Sequence, residues 1–382
     1  MFDFLTGLVA TDGFIIGIAV PFLFVLTVVI FFHELGHYLV GRWCGIGAKV
    51  FSVGFGPELF GFDDRHGTRW RLSAIPLGGY VKFVGDMNAA SASATMDDAL
   101  TEAERARAFH TKSVWRRAAT VFAGPAANFI LAIVIFAFVL AVFGRVVADP
   151  VVAEVRAGSA AEAAGLEAGD RFVSLDGQPV ASFSDVQRYV APRAGSPIAM
   201  VVDRDGQSID LTITPERLEI EDRFGNRIEQ GVIGVVNNPE AGRYRTETYP
   251  PLQAVWLGVQ ETGYVISRTG GYLAGVITGR ESADQIGGPI RVAQVSGQVA
   301  TLGFIALLNL TAILSVSIGL LNLLPVPVLD GGHLMFYAYE AVRGKPLSEV
   351  AQEYGYRIGF ALVLGLMVFA TWNDITILFG NG

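Results

Sequence analysis

The chain has 382 residues, 52% hydrophobic and only 17% charged, with a net charge of −8 and a mean hydropathy of +0.45. Soluble domains average about 25% charged residues, so this composition excludes a disordered chain and argues against a wholly soluble one. The acidic balance offers no basic surface for nucleic acid, and the one cysteine, Cys44, can form neither an internal disulfide nor a thiolate metal site.

In chain order, the first uncharged run, Gly13 to Phe32, is long enough to cross a bilayer and resumes its apolar character after HELGH. It predicts a first span within residues 1–41. Its length, and the absence of Lys or Arg before Arg42, argue against a cleaved signal peptide. Residues 42–117 read as a loop with two Gly- and Pro-punctuated strand runs, VFSVGFGPELFGF and WRLSAIPLGGYVKFV, expected as a membrane-associated hairpin or small sheet. Its edge either accepts an extended substrate or only packs the loop. Asn88 to Glu104, small, polar and acidic, reads as a linker.

A second span is predicted over 118–144. Residues 145–236 have the composition of a globular α/β domain, with a strand at Val151–Val155, short helices at Ala160–Ala164 and Ser184–Val190, and a hairpin turning at Asp205-Gly206. The run AGLEAGDRFVSLDGQPV resembles part of a PDZ domain, a peptide binder by strand addition; a small spacer without ligand is the alternative. Residues 237–300 are expected to hold an amphipathic segment on the membrane surface, centred on 251–279, or less simply a fifth span. A third span runs through 301–331, broken near its end by Pro325 and Pro327; 332–357 reads as a loop and 358–379 as a fourth span. Eleven Lys and Arg lie between Arg42 and Arg117, none precede the first span and none follow the fourth. That bias places the first loop in the cytoplasm and both termini outside.

The chemistry is concentrated in His33-Glu34-Leu35-Gly36-His37. On a helix, histidines four residues apart face one side and can bind zinc together, while the glutamate beside them can take a proton from water. Three ionisable groups inside an apolar span are costly unless they function. A catalytic zinc needs a third protein ligand. Asp330 meets the requirement, because the first and third spans run in the same direction and both HELGH and Asp330 lie towards their inner ends; His333 is the rival. Asn322 and Asn128 fall at the same depth. Each either handles the substrate backbone or oxyanion, or bonds between helices.

Together, HELGH in the first span, GPAANF opening the second, a PDZ-like domain, and N-x-x-P-x-P-x-L-D-G at Asn322 to Gly331 resemble the site-2 protease family of intramembrane zinc metalloproteases, bacterial RseP type. The resemblance implies a polytopic α-helical membrane protein with about four transmembrane helices, a cytoplasmic membrane-associated β-hairpin and one extracytoplasmic PDZ-like domain. It implies Zn2+ held by His33, His37 and Asp330, Glu34 as the catalytic base, and substrate handling by Asn322, Pro325 and Pro327, to which the depth of Asn128 adds a fourth candidate. The expected substrates are transmembrane segments of single-pass proteins, such as anti-sigma factors, and signal peptide remnants, cleaved in the bacterial inner membrane with the active site towards the cytoplasm. Membrane lipid is the other expected partner, and nucleic acid is not. The best-known members of the group carry two tandem PDZ domains, whereas this chain has length for one. Rival readings are a membrane-anchored zinc peptidase acting on soluble peptides and a non-catalytic scaffold.

Overall fold

The computed structural model describes residues 2–85, 100–221, 227–236, 244–283 and 286–380. The chain divides into two compact units, Met1–Ala137 with Val255–Gly382, and Phe138–Ala254.

The first unit opens with helix α1 (Phe2–Trp43), helical throughout because its long uncharged run leaves the backbone no partner but itself. Strands β1 (Ala48–Asp63) and β2 (Arg69–Phe83) form an antiparallel hairpin with several register shifts. One face packs on α1 through Ile30, Tyr38, Phe51, Val53, Val81 and Phe83, and Phe51 stacks on Trp70 with ring centroids 4.1 Å apart. On β1, Leu59 and Phe60 are about two-thirds exposed. The turn is held by Asp64, whose carboxylate accepts from the amides of His66 and Thr68, the Tyr38 hydroxyl and the Trp70 indole. Burial pulls this carboxyl up, but the Thr68 amide, the Tyr38 hydroxyl, the Trp70 indole and the His66 amide together hold it well below the usual carboxylate range. The expected linker Asn88–Glu104 lies outside the described residues as far as residue 99, and Thr101 caps the short helix α2 (Glu102–Arg105). Helix α3 (Val114–Val142) follows, with Pro125 inside it.

The second unit contains β3 (Arg145–Ala148), β4 (Glu154–Val155), α4 (Ala160–Ala163), β5 (Arg171–Leu175), β6 (Gln178–Pro179), α5 (Phe183–Val190), β7 (Ile198–Arg204), β8 (Gln207–Ile213), β9 (Glu216–Glu221), β10 (Arg227–Val232), β11 (Val235–Val236) and β12 (Tyr244–Glu247). Four strands pair in the order β6-β5-β7-β8, and Asp205 and Gly206 both take positive φ, as the two-residue hairpin turn between β7 and β8 requires. Val152, Phe172, Leu175, Val186, Ile198, Met200, Val202 and Ile213 fill the core. At one corner Asp170 is fully buried and receives two bonds from Arg204, at 2.7 and 2.8 Å. Because β12 pairs with β3, the unit extends past the 145–236 read from sequence.

The first unit then resumes with α6 (Pro251–Ile277), α7 (Pro289–Ala300), α8 (Phe304–Asn322), α9 (Asp330–Arg343) and α10 (Glu349–Gly380). The stretch 237–300, read as one surface segment, therefore holds two helices, and α7 lies against α1 and α8. Residues 332–357, read as a loop, are largely helical, and Gly331 and Gly332 sit inside the first turn of α9. Among the described residues, four helical stretches, Gly17–Trp43, Val114–Val142, Phe304–Asn322 and Glu349–Thr376, are long and apolar enough to cross a membrane. With the sheets, they fit a polytopic membrane protein.

Candidate metal centre

His33 and His37 stand one turn apart on α1, with Nε2 atoms 3.2 Å apart and rings nearly perpendicular. Asp330, the first residue of α9, reaches both: Oδ2 lies 3.2 Å from His33 Nε2 and Oδ1 3.5 Å from His37 Nε2. One donor atom from each of the three falls within 4.8 Å of the others. Asp330 Oδ2 is buried and makes no hydrogen bond. Lone pairs of two imidazoles and a carboxylate converging in a buried place repel unless a cation lies among them. This donor set, two nitrogens and one carboxylate, is that of a catalytic zinc site.

The supporting shell is made of backbone and of missing side chains. His37 Nδ1 lies 2.9 Å from the Thr120 carbonyl; a carbonyl only accepts, so Nδ1 carries the proton and Nε2 presents its lone pair. Gly124, one turn along α3, makes room for the ring: a Cβ there would lie 2.2 Å from His37 Nε2. On the other side, α8 stops at Asn322 and the chain crosses to α9 through residues 323–329 without helix. Val328 adopts φ +143°, a strained conformation for a β-branched residue. The crossing folds back so closely that a Cβ on Gly331 would lie 2.3 Å from the carbonyl oxygens of Leu323 and Leu324. This tight return sets Asp330 beside the histidines.

A cavity of about 290 Å³ opens on the trio. Glu34, 8% exposed, and Asn322 line it, as do Gly79, Tyr80 and Val81 of β2. Val328 and Leu329 also line it, whereas Pro325 and Pro327 shape the crossing without facing it. His333 lines the same cavity but is not one of the three converging groups; its Nδ1 lies 3.4 Å from the Tyr356 hydroxyl. Asn128 is fully buried, faces His33 at 3.3 Å and is not a lining residue. Sequence reasoning did not single out Thr120 or Gly124, whereas Gly79–Val81 lie in the strand run WRLSAIPLGGYVKFV, whose sheet edge it offered as a place for an extended substrate. The small residue in GPAANF was the visible signal for Gly124, while a backbone acceptor such as Thr120 leaves no signature in residue type.

The sequence profile of Peptidase family M50 matches residues 21–366. A protein of Agrobacterium fabrum, "Putative zinc metalloprotease Atu1380", is 57% identical over 374 residues, covering 98% of this chain and 99% of its own length. "Putative zinc metalloprotease mll0638" of Mesorhizobium japonicum is 58% identical over 362 residues, 94% of this chain and 99% of its own. "Metalloprotease MmpA" of Caulobacter vibrioides is 43% identical over 386 residues, 95% and 96% of the two chains. The chain belongs to peptidase family M50, the site-2 protease family.

Proposed function

We propose that this protein is a zinc endopeptidase that hydrolyses peptide bonds within transmembrane segments of single-pass membrane proteins. The observation that carries the reading is the convergence of Asp330 on His33 and His37, which stand with Glu34 on a helix apolar enough to span a membrane. The metal and the activity named for its relatives agree with it. When bound, zinc supplies Lewis acidity, which acidifies water and polarises a carbonyl. His33, His37 and Asp330 hold it. Glu34 takes the proton of the attacking water and returns it to the leaving amine. Asn322, at the cavity wall, donates its amide to the substrate backbone, and the Pro325–Pro327 crossing keeps that amide in place.

A helix hides its carbonyls in hydrogen bonds, so the substrate must unwind before attack. The β2 backbone at Gly79–Val81, beside Glu34, is where an unwound segment would gain strand-type bonds. The exposed apolar side chains of Leu59 and Phe60 on β1 would rest on lipid. On this reading the eleven Lys and Arg of 42–117 keep the hairpin and active site on the cytoplasmic side of the bacterial inner membrane. The second unit, PDZ-like and outside, excludes substrates whose outer domains are intact; anti-sigma factors already trimmed and signal peptide remnants satisfy that filter.

The test is metal analysis of purified wild type and Glu34→Gln together with cleavage of a tagged single-pass substrate. Zinc retained with cleavage lost supports the mechanism; cleavage retained in the variant defeats it. Equal cleavage of a soluble reporter without any apolar segment would favour a peptidase acting on soluble peptides instead.

A further inference from the structure

Asn128 is the buried polar group that the mechanism above leaves unused. It lies on α3 with no exposure, and its carboxamide nitrogen is placed 3.3 Å from His33 Nδ1 while its Oδ1 is buried with no hydrogen-bond partner. Its backbone is pinned from α8, where buried Ser315 donates its hydroxyl to the Asn128 carbonyl at 2.9 Å. The residue is thus fixed in position, and what remains to be set is which end of the amide faces His33.

The histidine decides it. His33 Nε2 faces Asp330 Oδ2 and His37 Nε2, each at 3.2 Å, so it serves the centre only as a lone pair. A neutral imidazole carries one N–H, which must then be on Nδ1 and needs an acceptor. The oxygen and nitrogen of a carboxamide exchange by a half-turn, and the hydrogen-bond network assigns them. With nitrogen towards His33, two donors would face each other and the oxygen would meet no donor. With oxygen towards His33, the Nδ1–H and the orphaned acceptor satisfy each other.

We propose that Asn128 is a positioning residue for the metal centre: its side-chain oxygen accepts the His33 Nδ1 proton and fixes the tautomer that turns Nε2 towards Asp330 and His37. The proposal rests on the reading that this trio binds zinc. It assigns Asn128 a task parallel to that of the Thr120 carbonyl, which does the same for His37. Partners of ligating histidines typically carry 10- to 100-fold in metal affinity when removed.

The experiment is zinc affinity of the full chain in detergent, measured by chelator competition, for wild type, Asn128→Ala, Asn128→Asp and His33→Ala. Asn128→Ala should bind zinc about 10- to 100-fold more weakly, and Asn128→Asp, which keeps the acceptor and loses the donors, should restore most of that loss. An Asp variant as weak as the Ala variant, or an Ala variant with wild-type affinity, would overturn the proposal. A His33→Ala variant with wild-type affinity would instead overturn the zinc site itself, which separates the two failures. Since a buried aspartate could disturb folding, nitrogen-15 NMR of the histidines in zinc-loaded wild type supplies a second reading. A proton on Nδ1 of His33 supports the assignment, and a proton on Nε2 alone overturns it.

Discussion

His37 donates its Nδ1 proton to the backbone carbonyl of Thr120 on the neighbouring helix. The orientation of this ligand therefore depends on how closely α1 and α3 approach, not on the identity of a side chain. Thr120→Val keeps that carbonyl and should leave zinc affinity within about threefold, at a stability cost of about 1 kcal/mol for the lost hydroxyl bond to Arg116. Gly124→Ala, by contrast, places a methyl group against Nε2. It should weaken zinc binding by at least about tenfold and reduce cleavage in proportion, as metal titration and a substrate assay on the two variants would show.

Asp64 makes the hairpin turn sensitive to acid. Its carboxyl is held below the ordinary value of 3.8, so its stabilising contribution is complete above that value and disappears as pH falls below it. Asp64→Asn should lower stability by about 2 kcal/mol at neutral pH, the scale of hydrogen bonds to a charged group. The difference from wild type should shrink steadily below pH 3.8. Denaturant unfolding at a series of pH values checks this, and a gap that widens in acid would contradict it. Because β2 also lines the cavity beside Glu34, the same variant should cleave more slowly at neutral pH.

In the second unit, Arg204 neutralises a fully buried carboxylate. Burial pulls the Asp170 carboxyl up, and the Arg204 guanidinium and the Glu167 amide more than offset it. Removing the arginine strands that charge, so Arg204→Ala should cost about 3 kcal/mol and expose residues 138–254 to limited proteolysis before the rest of the chain. A combined Asp170→Asn and Arg204→Ala change should cost less than the single one, since no unpaired charge remains. Proteolytic half-lives of the two variants separate these outcomes.

Metal removal should be felt as lost stability. Chelation leaves three lone-pair donors facing one another without a cation, and ligand linkage predicts a fall of about 4 kcal/mol at a free zinc level a thousandfold above Kd. Asp330→Asn should show a lower melting temperature than wild type and no further response to chelator. A chelator effect of equal size in that variant would show that zinc binds elsewhere.

The four long apolar helices and the pairing of His33 with His37 on one helix face were legible because each rests on a local signal. An uncharged run longer than a bilayer has one reading, and HELGH puts two imidazoles on one helix face by periodicity alone. Asp330 was reached through topology, which fixed the depth of two distant segments. Helix α9 was missed because 332–357 was read only as the connection between two apolar runs; Gly331 and Gly332 leave the room in which the crossing folds over its first turn. The joining of β3 to β12 was equally invisible, since it pairs residues about 100 positions apart through short strands of mixed polarity. Asn128 was singled out as an amide in apolar surroundings, and the structure places it beside His33 and not on the cavity wall.

The return of the chain at Asp330 has a consequence for biogenesis. Two metal ligands are made within the first tenth of the chain and the third only after about 300 more residues. On the proposed reading, a nascent polypeptide that ends after α3 holds His33, Glu34 and His37 but is one metal-holding residue short. Competence to cut arrives only when the last helices are translated and the 323–329 crossing closes over α9. On that reading, the order of synthesis keeps the metal-holding set incomplete until the chain is nearly finished.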